Sequence, residues 1–511
     1  MMRTQKVPTS EVRILPVTKK LLDAMRAIVG ADNVSDDAAR LKEYSDQLSL
    51  FKTKSPSAVV LPGSSDEVHQ LVQLANKRSI PLIPVSSGKP KLRGDSAPNI
   101  DGAVAVDLRR LNKILRVDKK NKVVMVEPGV TYPRLLDELK QHGLRPLMSF
   151  LPKSSKSVVA NCLDREPITA PRFHWDSSDP LLCTEVVFGS GDLFRTGAAA
   201  GPGNLEEQWA SGQAQKNPMG PSQFDPFRIV QGSQGTMGIV TWATMKCETA
   251  PDEQRVLMSG FDDLAKSLDF IYSVSKRKLV DDLLVLNSAN LSCALETNPT
   301  KIQKTRTALP GWILLLSVSG HGILAADELE YRSADTLDVA KETGVELKKQ
   351  IGSVTAARVG ALFGSASEEP YWKLRLRGAC QEVFFLTTLD QIPGFCSIFE
   401  QTAKDEAFPV RDIGVYIQPT LQGTNAHCGF DIYYDPVDKT RVGLAQRFYV
   451  KGCERLLEKG AFFSRPCGPV TEAVYKKTPP ETVTAMKKVK AIFDPKHVLN
   501  PGALCFEEVA K

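Results

Sequence analysis

The sequence predicts an α+β protein of two or three domains, and three observations lead there. The chain has 511 residues, 42% of them hydrophobic and 24% charged, which is ordinary globular composition but too much chain for one core. Its first part switches from a helical apolar period to a strand, helix, strand pattern. After Pro251 and Asp252 the texture changes again, to longer alternations of helix and strand.

In order along the chain, Lys19 to Gln47 reads as helical, with Leu21, Leu22, Met25 and Ile28 on one face and Gly30 as a stop. Ser57 to Pro62 (SAVVLP) is a predicted strand. Ser64, Ser65, Asp66 and Glu67 then cap a helix through Lys77, and Ile80 to Val85 is the next strand. Further strands are predicted at Ala103 to Asp107, Leu115 to Asp118 and Val123 to Glu127, followed by a helix from Tyr132 to Gln141 that ends at Gly143. The stretch from Pro152 to Pro251 is rich in Gly, Pro and Asn, a composition that covers ligands more often than it forms cores. Beyond it the predicted elements are Phe261 to Lys276, Leu283 to Asn287, Trp312 to Ser319, Asp327 to Thr343, Asp412 to Gln418 and Cys428 to Tyr434. The expected division is an N-terminal helical segment (1–50), a first domain (51–251), a second (252–455) and a C-terminal segment (456–511).

Several classes are set aside by composition. The 65 basic and 59 acidic residues are scattered, so the net charge of +6 forms no basic stripe and no nucleic-acid partner is expected. The longest apolar runs, such as Trp312 to Val318, fall far short of the ~20 residues that span a bilayer. The N-terminus has no apolar h-region or cleavage site, so a cytoplasmic location is expected. The ten cysteines include no C-x-x-C pair and read as reduced, mostly buried thiols.

The loop after the second strand, Val85-Ser-Ser-Gly-Lys-Pro-Lys-Leu-Arg-Gly94, has small residues where a backbone can approach an anion, and Lys89 adds charge. It is neither a Walker A loop nor a G-x-G-x-x-G fingerprint. By itself it reads equally as a surface turn.

Six ordered segments carry a more specific signal: VSSGKPKLRGDSAP with DLRRLNKI, VEPGVTYPRLLDELKQHGL, PLMSFLPKSSKSVVANCLDRE, EVVFGSGDLFRTG, GSQGTMGIVT and FDPKHVLNPG. With these the chain resembles the flavoprotein family of vanillyl-alcohol oxidase and p-cresol methylhydroxylase (PCMH), over roughly residues 50 to 250 and more faintly beyond. The resemblance implies a two-subdomain PCMH-type FAD-binding domain, an α/β substrate (cap) domain, and a C-terminal tail that returns to the FAD domain. It implies FAD as cofactor, with Ser86, Ser87, Gly88, Lys89 and Pro90 along the pyrophosphate and Pro128 and Gly129 near the adenosine. Ser154, Ser155, Val159, Asn161, Leu163 and Asp164 would run past the ribityl chain and ring. Gly235, Gly238, Ile239 and Val240 would meet adenine and flavin through backbone, and Asn500 with Pro501 would belong to the returning segment.

Phenol-oxidising members hold their substrate with two tyrosines and an arginine. Here Arg93 stands at the first tyrosine, and Ser464 with Arg465 at a Tyr-Arg pair, so only Arg465 is kept. Two guanidiniums suit a planar carboxylate, which points to an anionic substrate such as a 2-hydroxy acid or a carboxylated aromatic alcohol. Arg93 reads equally as a solvated loop charge, and Arg465 has a structural salt bridge as its alternative. His427 stands near where some members attach flavin covalently; it reads also as a general base or as a structural histidine. Tyr416, Tyr433 and Tyr434 are further candidates. The 2-hydroxy-acid dehydrogenases of the superfamily carry a histidine-rich metal motif for which NAHCGFDIYY and FFSRPCGP supply one histidine, so no metal site is expected.

The resemblance implies a dehydrogenase: Arg465, with Arg93, anchors an anion, a base takes the hydroxyl proton, and hydride passes to flavin N5. Electrons would leave to an electron-transfer flavoprotein, a cytochrome or quinone subunit, or oxygen, and a homodimer is compatible with all of this. Oxidation of 4-alkylphenols or benzylic alcohols through a quinone methide is the alternative chemistry, and an FAD-binding electron-transfer subunit without a substrate is the non-catalytic alternative.

Overall fold

A computed structural model describes residues 17–45, 48–92, 97–172, 179–220 and 227–506. Helices and strands build three main sheets, with a deep cleft where the third faces the first two.

The first sheet has strands β1 (Val34–Ser35), β2 (Ala58–Val60), β3 (Leu82–Val85) and β4 (Val104–Asp107), in the order β1-β2-β4-β3. β4 runs parallel to β2 and β3, and β1 is antiparallel to β2. The helix Ser65–Arg78 connects β2 to β3 and buries Val68, Leu71, Val72 and Ala75. Ser64 caps it by accepting from the Glu67 amide, and its first turn is acidic and its last basic, as the helix dipole favours. The helical reading of Lys19 to Gln47 needs correction. Helix Lys19–Val29 stops at Gly30, whose φ of 88° ends it, and the chain forms β1 before a second helix, Ala38–Ser45.

The second sheet is antiparallel: β5 (Ile114–Asp118), β6 (Val123–Val126), β7 (Leu144–Pro146), β8 (Leu181–Phe188), β9 (Leu193–Arg195) and the long β10 (Gly238–Thr249), in the order β5-β6-β10-β8-β9 with β7 on β10. Helices Tyr132–Gln141 and Val158–Leu163 pack on it through Tyr132, Leu135, Leu139, Val158 and Cys162.

The third sheet contains β11 (Glu253–Phe261), β12 (Asp282–Asn287) and β13 (Trp312–Gly320). A small hairpin of β14 (Gln350–Ile351) and β15 (Val354–Thr355) precedes its remaining strands, β16 (Ala379–Thr387), β17 (Ile413–Thr420) and β18 (Asn425–Tyr434). The order is β11-β13-β12-β17-β18-β16, antiparallel throughout. Successive side chains alternate between faces. Val383, Phe385, Val415, Ile417, Phe430 and Ile432 point to a helix layer carrying Phe270, Phe395, Phe399 and Phe448; the other face borders the cleft. β11 and β16 were not among the predicted strands, and a helix was expected to begin at Phe261; it begins at Leu268.

A charge network around the buried Asp281 joins the second sheet to the third: Arg172 pairs with Glu248 at 2.6 Å and with Asp281, and Arg332 meets Asp281 at 3.1 Å. The C-terminal segment returns to the first sheet, where Leu82 N donates to Val498 O (2.7 Å) and Asn500 N to Leu82 O (2.9 Å). Its turn is held by Asp494, which accepts from the Val498 and Leu499 amides at 2.9 and 2.8 Å. Lys490, wholly buried, donates to Asp494, Thr236 O and Leu499 O. Burial pulls the Lys490 ammonium below its ordinary value.

Candidate active site

The cleft has an empty volume of about 1780 Å³, counting its open mouth. Its first half is built from loops at the ends of strands. After β3 the chain turns through Ser86 to Leu92, and a second loop, Lys153 to Ser157, lies against it. Gly88 N donates to Ser155 O (2.9 Å), Ser155 Oγ to Lys89 O (2.5 Å), and Ser157 N to Ser87 Oγ (3.1 Å). Lys153 Nζ clamps the carbonyls of Gly88 and Pro90 at 2.8 and 2.6 Å. The approach is close enough that a Cβ on Gly88 would lie 2.9 Å from Ser155 Cβ.

Ser86, Ser87, Pro90 and Pro128 line this half, with Val159, Asn161 and Leu163 from the helix Val158–Leu163 and Asp164 at its C-cap. Gly235, Gly238, Ile239 and Val240, at the start of β10, close the opposite side. Lys153 and Lys156 also line it; Lys156 is paired with Asp164 at 2.6 Å. Hydroxyls and two ammonium groups at one end, and flat apolar walls of Val85, Val159, Ile239 and Val240 beyond them, fit a diphosphate joined to planar rings. The residues present therefore suit FAD.

Not every expected contact faces the open space. Gly88, Lys89 and Ser155 serve the loop-to-loop contacts just described, and Ser154 Oγ donates to Glu369 at 2.7 Å. Gly129 is a packing requirement, since a Cβ there would come within 2.6 Å of Leu111 O. Asn500 donates through Nδ2 to Gln234 O at 2.7 Å and lines a neighbouring cleft. Arg93 lies outside the described residues.

The second half is the cleft-facing side of the third sheet. On β18 the alternation that buries Cys428, Phe430 and Ile432 turns His427, Gly429 and Asp431 to the cleft. Gly429 stands directly opposite Phe384 of β16 and Tyr416 of β17. His427 stacks on Phe384 at 5.7 Å between centroids and meets the Tyr416 ring edge-on at 5.8 Å. Tyr416 Oη donates to Gln418 Oε1 at 2.9 Å, and burial pushes its phenol above the ordinary value, so it stays protonated. Phe150 and Trp372 complete an aromatic wall.

Glu382 and Asp431 are directly opposed across β16 and β18. Like charges so placed repel, and Lys373 relieves them: its Nζ bonds Asp431 Oδ1 at 2.8 Å and also Glu382 Oε1. Asp431 Oδ2 accepts from Asn290 Nδ2 at 2.7 Å. Burial pushes the Asp431 carboxyl up, against the pull of Lys373. Burial alone would lower Lys373, but Asp431 and Glu382 outweigh it and hold the ammonium well above its ordinary value.

Arg465 is buried beside this wall, its guanidinium 4.5 Å from the Phe384 ring centroid and 3.2 Å from Glu166 Oε1. Nη1 has that charge partner, yet no aligned hydrogen-bond acceptor among the described residues. Lys153, Lys156, Glu166, Lys373, Glu382, Gly429 and Asp431 are cleft residues that the sequence reading did not single out. For four of them the signal was present, Gly429 and Asp431 in the alternation of NAHCGFDIYY and Lys153 and Lys156 in the cation spacing of KSSK. Among the described residues no group of three or more His, Cys, Asp or Glu is placed to hold a metal ion, and no helix is long and apolar enough to cross a membrane.

Comparison with known proteins agrees with this architecture. Residues 56–197 match the FAD binding domain model and residues 471–504 the model of the C-terminal domain of FAD linked oxidases. Glycolate oxidase subunit GlcD of Bacillus subtilis (strain 168) is 23% identical over 97% of this chain and 98% of that protein. The flavoprotein subunit of 4-cresol dehydrogenase [hydroxylating] from Pseudomonas putida is 31% identical over 36% of each. The structure of p-cresol methylhydroxylase with substrate bound superposes with a TM-score of 0.80 at 19% identity, over 97% of this chain and 99% of that one. Fold and cleft together define an FAD-dependent oxidoreductase. Residues 56–197 thus carry an FAD binding domain and residues 471–504 the C-terminal domain of FAD linked oxidases, on the fold of p-cresol methylhydroxylase.

Proposed function

We propose that the protein is a dehydrogenase of a small anionic hydroxylated substrate, a 2-hydroxy acid being the simplest, and that the cleft residues divide into a cofactor half and a substrate half. The observation that carries this reading is Arg465: a buried guanidinium with one nitrogen lacking an aligned acceptor is a ready partner for a carboxylate oxygen. A relative over nearly its full length is a glycolate oxidase subunit, which supports the same substrate class.

In the cofactor half, Ser86, Ser87 and the loop amides, with Lys153 and Lys156, would hold the diphosphate. Val159, Ile239 and Val240 would flank the rings, while Gly88, Ser155 and Asn500 keep the two loops and the C-terminal segment in place. Bound FAD supplies the two-electron acceptor. In the substrate half, Arg465 orients the carboxylate, and Arg93, from the adjoining loop, is proposed as a second cation. His427 accepts the hydroxyl proton, since a neutral imidazole is a base near neutral pH and Tyr416 is held protonated. The Phe384, Tyr416 and Trp372 wall excludes water, which strengthens the charge interactions inside. Electrons then pass to an external acceptor, a carrier protein or oxygen. Eight of the ten cysteines are buried thiols, which suits a cytoplasmic setting.

The aromatic wall favours one second reading, oxidation of a 4-alkylphenol or benzylic alcohol. Anaerobic mixing of the holoprotein with a panel of both classes tests the choice. Bleaching of the flavin by hydroxy acids supports the first reading, and bleaching by phenols alone replaces it with the second.

A further inference from the structure

Gly429 sits mid-strand in β18, between Phe384 and Tyr416 on the neighbouring strands. A glycine in a strand interior gives neighbours nothing to pack against and has more freedom to lose on folding, so its presence requires a reason. Two common reasons are absent. Its backbone lies outside the left-handed region, and a Cβ added to it would meet only ordinary contacts: His427 Nε2 at 3.5 Å, Tyr416 O at 3.7 Å and Tyr416 Cβ at 3.8 Å.

Gly414, on the same face of the adjacent strand, is the contrast. A Cβ there would come 1.8 Å from Asn290 Oδ1 and 2.9 Å from the Tyr433 ring, so packing demands that glycine and leaves room for Asn290 to reach Asp431. Nothing in the packing demands glycine at 429. What its missing side chain leaves is a notch opening into the cleft, walled across the strands by Phe384 and Tyr416 and along the strand by His427 and Asp431.

We propose that Gly429 is a specificity-determining position: the notch receives a substituent of the substrate and sets how large that substituent can be. The proposal rests on the cleft being the oxidation site, and it holds for an acid or for an alcohol. The test uses FAD-loaded wild type, Gly429→Ala and Gly429→Val. Unreactive carboxylates of rising size (acetate, butanoate, hexanoate, phenylacetate) are titrated while the flavin absorbance is followed.

The ratio of large-acid to acetate affinity should fall in the valine variant by about ten- to two-hundredfold, the range that a methylene or two of misfit produces, with alanine between. The same ratio in all three proteins overturns the proposal. So does loss of FAD from the valine variant together with an unchanged ratio in the alanine variant, because the notch would then belong to the cofactor. If no carboxylate perturbs the wild-type spectrum, the acid reading fails on its own, and a 4-alkylphenol series of rising chain length reads the same ratio. Should valine prevent folding, the alanine variant decides.

Discussion

Arg465 Nη1 lies 3.2 Å from Glu166 Oε1, with both side chains largely out of solvent, at 8% and 14% exposure. Arg465 is therefore at once a structural partner and, through the same guanidinium, the cation nearest the aromatic wall. Sequence reasoning treated those two roles as alternatives.

The first prediction concerns that pair. Arg465→Ala breaks the ion pair with Glu166 and removes the proposed anchor. The variant should keep FAD while kcat/KM for an acidic substrate falls by at least roughly thirtyfold, since losing one partner of a buried charge pair costs about 2 kcal/mol or more. Arg465→Lys should recover only part, because an ammonium cannot form the planar two-point contact. Unchanged kcat/KM in the alanine variant excludes the anchoring role.

His427 is the proposed base. The acid limb of the kcat/KM profile should then disappear in His427→Asn together with most of the turnover. A limb that persists in that variant transfers the role to the Glu382 and Asp431 pair.

Lys373 holds two opposed carboxylates together. Lys373→Met should cost about 3–5 kcal/mol of unfolding free energy by removing the cation between two opposed carboxylates, and adding Glu382→Gln should recover much of that loss. Denaturant titration of the single and double variants measures the coupling. Additive losses would show that Lys373 acts by packing alone.

Asp107, at the end of β4, accepts from Tyr44 Oη at 2.5 Å and from Arg109 Nε at 2.9 Å. Burial alone would raise its carboxyl, but the Arg109 hydrogen bonds and charge, with Tyr44, outweigh this and hold it below the ordinary value. In the unfolded chain it returns to about 3.9. Its contribution is thus complete above that pH and is lost as pH falls through the lower folded value. Asp107→Asn should be less stable than wild type at neutral pH, with the gap closing below about pH 4. A gap that widens in acid contradicts this origin.

The parts of the molecule legible in the sequence are those made by neighbours in the chain. The Ser64 cap, the strands around Ser86 to Leu92 and the FDPKHVLNPG turn are local patterns. In the turn, Asp494 satisfies amides only four and five residues on. The Lys373, Glu382 and Asp431 cluster was not legible, because Glu382 and Asp431 meet only through the pairing of β16 with β18 and Lys373 reaches them from the short helix Trp372–Leu374. β16 itself hid because ACQEVFFLT is buried on both faces and lacks the polar alternation that marks a half-exposed strand. The Glu166 partner of Arg465 was hidden for the same reason: the two are far apart in the chain, and only the assembled fold brings them together.

The most direct measurement is rapid anaerobic mixing of the FAD-loaded protein with a 2-hydroxy acid, protiated or deuterated at the carbon bearing the hydroxyl. The account predicts saturable bleaching of the flavin, slowed severalfold by deuterium. Absence of bleaching with every hydroxy acid, while a 4-alkylphenol bleaches the same sample, would contradict it.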